Sequence, residues 1–201
     1  MNLKNIDKNN TLFSFFLYLT LIAGFIIDEN LNHGSYHDWS SAYIQYIENF
    51  SINFTDTFLN YDQYGQRHSP VYLIFLSFFL NLGLEFGQIR FLHLHLSIAL
   101  IIIFYRCLKL QFDKIETRSL QLLALIIFLS PTFRSLSIWP DSRLPGLLFF
   151  VLAIYYYLNF QKKSELKYAW YNSIALIISS YISPNFSIFF FYFIFFFIKK
   201  I

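Results

Sequence analysis

Residues 28–70 form a polar and aromatic segment that lies between two apolar runs of the sequence. The segment contains Asp38, within the tripeptide His-Asp-Trp, and it closes on His68, two residues before the next apolar run begins. A carboxylate at a membrane surface can act as a general base toward a hydroxyl or an amine. Nitrogen donors beside it suit a phosphate at headgroup level. These residue types therefore indicate chemistry on a substrate that is anchored in a bilayer.

Asp38 fits two roles in this setting. One is that of a general base, as above. The other is structural, because residues 40–50 have the apolar and aromatic spacing of a short amphipathic helix and Asp38 stands where an N-cap would. The two roles can coexist, and the spacing alone does not choose between them.

Arg67 and His68 place two donors directly before the apolar run at 70–84. Such donors suit a phosphate group. The alternative is ordinary anchoring of a membrane segment at the interface.

A second charged cluster surrounds Trp139 and Pro140, with Arg134 before them and Asp141 and Arg143 after them. Basic residues normally concentrate on the cytoplasmic side of a membrane protein. A cluster of three charged residues that includes two arginines is unusual on the outer side, and this favours a functional role. Asp141 can orient a phosphate-binding arginine, hold a metal ion, or cap the helix that starts at the next residue. These three roles stay open at this point.

The composition identifies an integral membrane protein. Of the 201 residues, 56% are hydrophobic and 13% are charged, and the mean hydropathy is +0.47, whereas soluble domains carry about 25% charged residues. The basic residues flank apolar runs, as they do in membrane proteins, and the net charge of +3 gives no sign of a nucleic-acid partner. The single cysteine, Cys107, excludes a disulfide framework and a cysteine-based metal site.

Apolar segments recur along the whole chain and predict an all-α fold, a polytopic transmembrane helical bundle in one membrane domain over residues 1–201. A hydrocarbon core of ~30 Å needs about 20 apolar residues for each crossing helix. No internal repeat or linker divides the chain. The seven predicted segments are 11–27, 70–84, 91–105, 120–133, 144–160, 170–182 and 186–198.

The basic residues predict the topology. Clusters at 106–118, 162–167 and 199–200 are expected on the cytoplasmic side. If all seven segments crossed, the first cluster would lie outside. The conflict disappears if residues 70–84, which begin with proline, lie in the outer leaflet as a lip helix. We therefore expect about six crossings, a cytoplasmic N-terminus and an outer loop over 28–69, in a bacterial inner membrane.

The order of these features resembles the GT-C superfamily of membrane glycosyltransferases, and in particular the bacterial aminoarabinose transferases and the protein O-mannosyltransferases. The resemblance is one of pattern and covers most of the chain. A first helix leads to an outer loop with an acidic residue and then a tyrosine, and the loop closes on a basic residue and proline. Later come a helix ending in a Ser-Pro step, an outer acidic residue and a last polar turn. The corresponding stretches are HDWSSAYIQYIENF, RHSPVYLIF, GLEFGQIRFLHLHLSIAL, LALIIFLSPTFRSL, WPDSRLPGLLFF and SSYISPNFSIFFF.

The resemblance implies an inverting transfer of a sugar from a polyprenyl-phosphate donor, a membrane lipid, to a lipid, glycan or protein acceptor on the outer face. Asp38 matches the first-loop acidic residue, the proposed base, and His68 matches the basic residue that is suited to the carrier phosphate. Asp141 matches the second outer acidic residue. A divalent metal ion as cofactor stays open. The expected substrate-binding residues are Tyr43, Arg67, His68, Asp141 and Arg143.

The chain departs from the family pattern at three points. Ser183 and Pro184 stand where the aminoarabinose branch often carries a Thr-Lys pair, so that lysine contact to the donor is missing. Asp28 and Glu29 lie close enough to be the true first acidic motif. Family members are also much longer, so we expect this chain to be a truncated or minimal form of the N-terminal module. The alternative function is that of a non-catalytic membrane protein, such as a degenerate transferase or an assembly or flippase-like partner.

Overall fold

The computed structural model describes residues 8–30, 34–65 and 68–198, which form helices and connecting turns without a strand. The all-α class predicted from the sequence is therefore confirmed over this part of the chain. The α-helices are α1 Lys8–Ile26, α2 Gly34–Asp38, α3 Ile44–Ile52, α4 Phe54–Leu59, α5 Val71–Asn81, α6 Phe86–Gln111, α7 Thr117–Leu125, α8 Pro131–Ile138, α9 Arg143–Lys163, α10 Leu166–Ile182 and α11 Phe189–Ile198. One π-helical segment, Trp39–Tyr43, joins α2 to α3, and 3₁₀ segments lie at Tyr61–Tyr64, Ile126–Leu129 and Pro184–Phe186.

Two helices, α6 and α9, are long and apolar enough to cross a membrane. A third candidate consists of α7 and α8 together, which are bent by 73° at the break between them. The bend arises because Pro131 begins α8 without an N–H to donate, while the Ser130 side chain caps the new helix by accepting from the Phe133 N–H. These helices are consistent with a membrane protein. The described residues contain two or three candidate spans, whereas the sequence predicted about six crossings.

Helix α5 occupies the segment predicted as a lip helix, and it is shorter than the predicted run over 70–84. Its 11 residues extend for about 16 Å, roughly half of a ~30 Å hydrocarbon core. Tyr72 and Leu76 are buried against the rest of the bundle, whereas Phe75 and Phe78 are exposed. The helix stops before Gly83, whose φ of 88° turns the chain into α6.

Paired charges tie together the ends of three helices. Asp28, just after α1, binds Arg90 of α6 at 2.8 Å. Glu29 binds Arg134 of α8, and its backbone carbonyl accepts the indole N–H of Trp139 at 2.8 Å. The Arg90 guanidinium lies 3.7 Å from the centre of the Trp139 ring. Hydrogen bonding to Arg134 holds the pKa of the Glu29 carboxyl below 4.5, so this pair stabilises the fold at neutral pH and is lost as the pH falls through that lowered pKa.

The described residues also separate charge between the two ends of the bundle. The acidic end, where α1 and α8 finish and α6 and α9 begin, carries the carboxylates of Asp28, Glu29, Asp38 and Asp141. At the opposite end, which we call the basic end, α6 and α9 finish and α7 and α10 begin. Its cations are Arg106, Lys109, Lys114, Arg118, Lys162, Lys163 and Lys167.

Helices α9 and α10 pack closely because small residues lie between them. The Ser179 hydroxyl donates to the Gly146 carbonyl at 2.8 Å, and the Asn172 side-chain amide donates to the Ala153 carbonyl at 2.7 Å. A Cβ added at Gly146 would stand 2.7 Å from the Ser183 Cβ. Such close approach through small residues is a common way for membrane helices to associate. It also fixes the turn that follows α10 against the start of α9.

We expect Gly146→Ala to lower the free energy of unfolding by about 1–3 kcal/mol, because its methyl group would force the α10 turn away from α9. Thermal unfolding of the purified chain in detergent measures the change. Gly87→Ala is the matched control, since a Cβ there meets nothing within 4 Å, and it should leave stability unchanged or raise it by up to about 1 kcal/mol. Equal unfolding temperatures for Gly146→Ala and the unmodified chain would contradict the packing described here.

Candidate functional site

A polar cavity of about 480 Å³ opens at the acidic end of the bundle. Four separate parts of the chain contribute to its wall: the helical run after α1, the turn before α5, the start of α9 and the turn after α10. The residues are Asp38, Tyr43, Gly65, His68, Arg143, Pro184 and Asn185. Four of the residues predicted from the sequence to bind or transform a substrate therefore share one cavity, namely Asp38, Tyr43, His68 and Arg143.

The N-cap, the second of the two roles considered for Asp38, is wrong. The helical run begins at Gly34, whereas a helix capped by Asp38 would begin at residue 39, and the run continues through Asp38 into α3. Asp38 itself has helical backbone angles, φ −60° and ψ −40°, and its side chain makes no capping hydrogen bond. The carboxylate is instead about half exposed, at 47%. It is accessible from the cavity, as a general base must be.

A π-helical turn over Trp39–Tyr43 sets the orientation of this helical run. The buried residues Ser35, Trp39, Tyr43 and Ile47 follow one another at intervals of four. In a regular α-helix each step of four overshoots a turn by about 40°, so three steps would move the buried face by about 120°. The wider π-helical turn offsets this rotation, so that all four residues remain in the core. The spacing of four is visible in the sequence and is the signal that our sequence analysis missed.

Asp141 is buried, with 2% of its side chain exposed, and among the described residues its carboxylate is bound by Arg143. Its Oδ1 accepts from the Arg143 backbone N–H at 2.8 Å and from Nε at 2.9 Å, and its Oδ2 accepts from Nε and Nη2. Asp141 therefore orients the arginine and also satisfies the first backbone N–H of α9, whose N-cap residue is Ser142. A metal site finds no support among the described residues, where no group of three His, Cys, Asp or Glu side chains could hold an ion.

Arg143 connects the buried carboxylate to the cavity. Its Nη2 lies 3.5 Å from the Asp38 Oδ2, and 39% of its side chain is exposed. An ion pair this long and this exposed contributes about 1 kcal/mol or less. The guanidinium is therefore held firmly by Asp141 and only weakly by Asp38, so an anion that enters the cavity can replace Asp38 as its second partner.

Tyr43 lies beneath the cavity and spans from the π-helical turn to the start of α9. Its hydroxyl donates to the Ser142 Oγ at 3.5 Å. Burial raises the pKa of Tyr43 to about 12, and the nearby carboxylates of Asp141 and Asp38 add to the shift. Tyr43 therefore stays protonated at neutral pH and serves as a hydrogen-bond donor.

His68 is held in place through its backbone. The Tyr61 hydroxyl donates to the His68 carbonyl at 3.0 Å, and the next residue, Ser69, donates from its hydroxyl to the Tyr181 carbonyl of α10. Burial raises the pKa of Tyr61, which keeps that hydroxyl protonated. Within the described part of the chain the buried His68 Nδ1 has no hydrogen-bond partner. His68 is nevertheless one of the residues that line the cavity.

Arg67 lies outside the described residues. Asn185, in the last polar turn of the pattern, also lines the cavity. Asp28 and Glu29, the alternative acidic motif, are both engaged in ion pairs with arginines and do not line this cavity.

Comparison with protein-family models, with curated proteins and with solved structures gives no match for this chain. The function has to be argued from the cavity itself and from the pattern of residues along the sequence.

We expect Asp141→Asn to lower the free energy of unfolding by about 2–3 kcal/mol, because it leaves the partly buried Arg143 guanidinium without its main counter-charge. Asp38→Asn should change it by no more than about 0.5 kcal/mol, since the side chain is half exposed and its ion pair is long. Thermal unfolding of the two variants beside the unmodified chain tests both values. A loss at Asp38→Asn as large as that at Asp141→Asn would mean that Asp38 has a structural role.

Proposed function

We propose that this chain is a membrane glycosyltransferase of the GT-C type that transfers a sugar from a polyprenyl-phosphate donor to a lipid, glycan or protein acceptor at the outer face of the membrane. The observation that carries the proposal is the meeting of Asp38, His68 and Arg143 in one polar cavity at the end of an apolar bundle. These residues come from distant parts of the sequence. Asp38 and His68 were singled out by the order of features that resembles this superfamily, and Arg143 by the charged cluster around Trp139 and Pro140.

In the proposed reaction Asp38 acts as the general base. Its exposed carboxylate takes the proton from an acceptor hydroxyl or amine, whose oxygen or nitrogen attacks the anomeric carbon of the sugar. The bond from that carbon to the phosphate oxygen breaks, and the polyprenyl phosphate leaves with the electron pair. A single displacement of this kind inverts the anomeric configuration.

Arg143 and His68 are suited to the phosphate group of the donor. The guanidinium of Arg143 is fixed on one side by Asp141 and keeps N–H groups directed at the cavity. A preorganised cation stabilises the charge that develops on the leaving phosphate without moving during the reaction. His68 lines the same wall and places an imidazole beside Arg143 as a second polar group for the phosphate.

The distribution of charge supports an orientation with the basic end in the cytoplasm. In that orientation α1, α6, the α7–α8 pair, α9 and α10 make five crossings, and α5 lies in the outer leaflet beside the cavity. Helix α11, whose 10 residues extend for about 15 Å, makes the sixth expected crossing only together with the residues that flank it. The helix α10 has 17 residues, about 25 Å, which suffices for a crossing completed by its flanking turns. The N-terminus is then cytoplasmic, as in a bacterial inner-membrane protein.

A transfer assay tests the proposed activity. The purified chain in lipid vesicles receives radiolabelled polyprenyl-phosphate sugars and a membrane extract as the source of acceptors. We expect Asp38→Asn to abolish transfer of label and Glu48→Gln to leave it unchanged, because Glu48 is an exposed acid of the same helical run that does not line the cavity. Full activity of Asp38→Asn would rule out this base. Donor binding without transfer by the unmodified chain would favour the non-catalytic alternative.

Cysteine labelling tests the orientation. The test uses a Cys107→Ala background. A cysteine at position 88, in the first turn of α6, should react with an impermeant maleimide from the same side as a cysteine at position 40, in the π-helical segment. A cysteine at position 114, at the basic end, should react from the other side. Labelling of positions 88 and 40 from opposite sides would show that α5 crosses the membrane and would refute the proposed topology.

A further inference from the structure

A second cavity, of about 320 Å³, lies among α1, α6 and α7. Its wall consists mostly of isoleucine, leucine, alanine and phenylalanine side chains, with Ser14, Tyr18, Tyr105 and Gln121 as the polar exceptions. It shares no residue with the cavity that holds Asp38. The volume is at the lower end of the range for ligand pockets, ~300–1,000 Å³, and the apolar wall suits a hydrocarbon chain.

Two cations stand at the end of this cavity that points toward the basic end of the bundle. Lys109 follows the lining residue Ile102 by seven residues on α6, and Arg118 precedes the lining residue Leu125 by seven residues on α7. Seven residues are two helical turns, so each cation lies about 10 Å further along the same helix face. Both side chains are exposed.

The turn between these two helices keeps a positive balance. Arg106, Lys109, Lys114 and Arg118 stand against Asp113 and Glu116. The acidic Asp113 lies 3.5 Å from Lys162, so part of its charge is already compensated from α9. An anion at this surface therefore meets a net attraction.

We infer that this cavity binds an anionic phospholipid of the leaflet at the basic end, with one acyl chain between α1, α6 and α7 and its phosphate beside Lys109 and Arg118. An apolar slot between helices, capped by cations at headgroup depth, is the combination that selects an anionic lipid over a zwitterionic one. The site does not depend on the proposed sugar transfer, because its residues take no part in the polar cavity.

Native mass spectrometry of the purified full chain tests the inference. Dioleoyl phosphatidylglycerol and dioleoyl phosphatidylcholine are added at equal concentrations, and the bound lipids are counted. We expect preferential retention of phosphatidylglycerol. The preference should fall about fivefold for each cation removed, and hence about 25-fold in the double variant Lys109→Gln, Arg118→Gln.

The matched control is Lys163→Gln, Lys167→Gln, which removes the same charge at the basic end, leaves the pair between Lys162 and Asp113 intact and should change the preference by less than twofold. Ile102→Trp fills the cavity from a half-exposed position and should weaken phosphatidylglycerol binding with an unchanged circular dichroism spectrum. Free glycerophosphate should not displace the lipid.

Four results would overturn the inference. Equal binding of the two lipids by the unmodified chain would remove the charge selectivity. Equal losses in the two double variants would mean that a diffuse surface charge attracts the lipid. Normal binding by Ile102→Trp, or displacement by glycerophosphate, would mean that no acyl chain enters the cavity.

Discussion

Charges placed at the end of an apolar helical bundle have to be compensated, and this constraint organises the acidic end of the molecule. A buried charge that loses its partner costs about 3–5 kcal/mol. Arg90, Arg134 and Arg143 each meet a carboxylate, namely Asp28, Glu29 and Asp141. The first two pairs join the end of α1 to α6 and α8, and the third fixes the start of α9. The frame around the cavity is therefore built by ion pairs.

Asp38 differs from these three carboxylates in a way that matters for function. Its ion pair with Arg143 is long, its side chain is half exposed, and it makes no capping hydrogen bond. It is nevertheless held in place from below, because Trp39 and Tyr43 are buried in the adjoining π-helical turn. A rigid backbone with a lightly engaged carboxylate is the arrangement that a general base requires.

The sequence predicted the helical class and the residues of the cavity better than it predicted local geometry. Apolar runs locate helices because each apolar helix must bury its surface in the bundle or span the membrane. The Ser-Pro step of the sequence coincides with the break before α8. The capping role of Asp38 failed because a helix start depends on tertiary packing, and here the helix already begins at Gly34, with Ser35 buried one turn before Trp39.

The ion pairs at the acidic end were out of reach of the sequence analysis for a similar reason. Asp28 and Glu29 resemble a catalytic motif until their partners, Arg90 and Arg134, are known, and these lie 62 and 105 residues away along the chain. Pairing over such separations is decided by tertiary packing. The number of membrane crossings could not be predicted from the sequence for the same reason. Whether a short helix crosses the membrane or lies along its surface depends on the helices that pack against it.

The two partners of Arg143 also suggest how binding and reaction are coupled in the proposed transfer. Asp141 holds Nε and Nη2 through short contacts and is buried, so an incoming phosphate does not displace it. Asp38 contributes only the 3.5 Å contact at the exposed side. A donor phosphate therefore competes with Asp38 alone, and its arrival leaves the Asp38 carboxylate free to accept a proton from the acceptor. In the absence of a donor, the Asp38 carboxylate keeps its contact with Arg143. It is then less available as a base to an acceptor that binds without the donor.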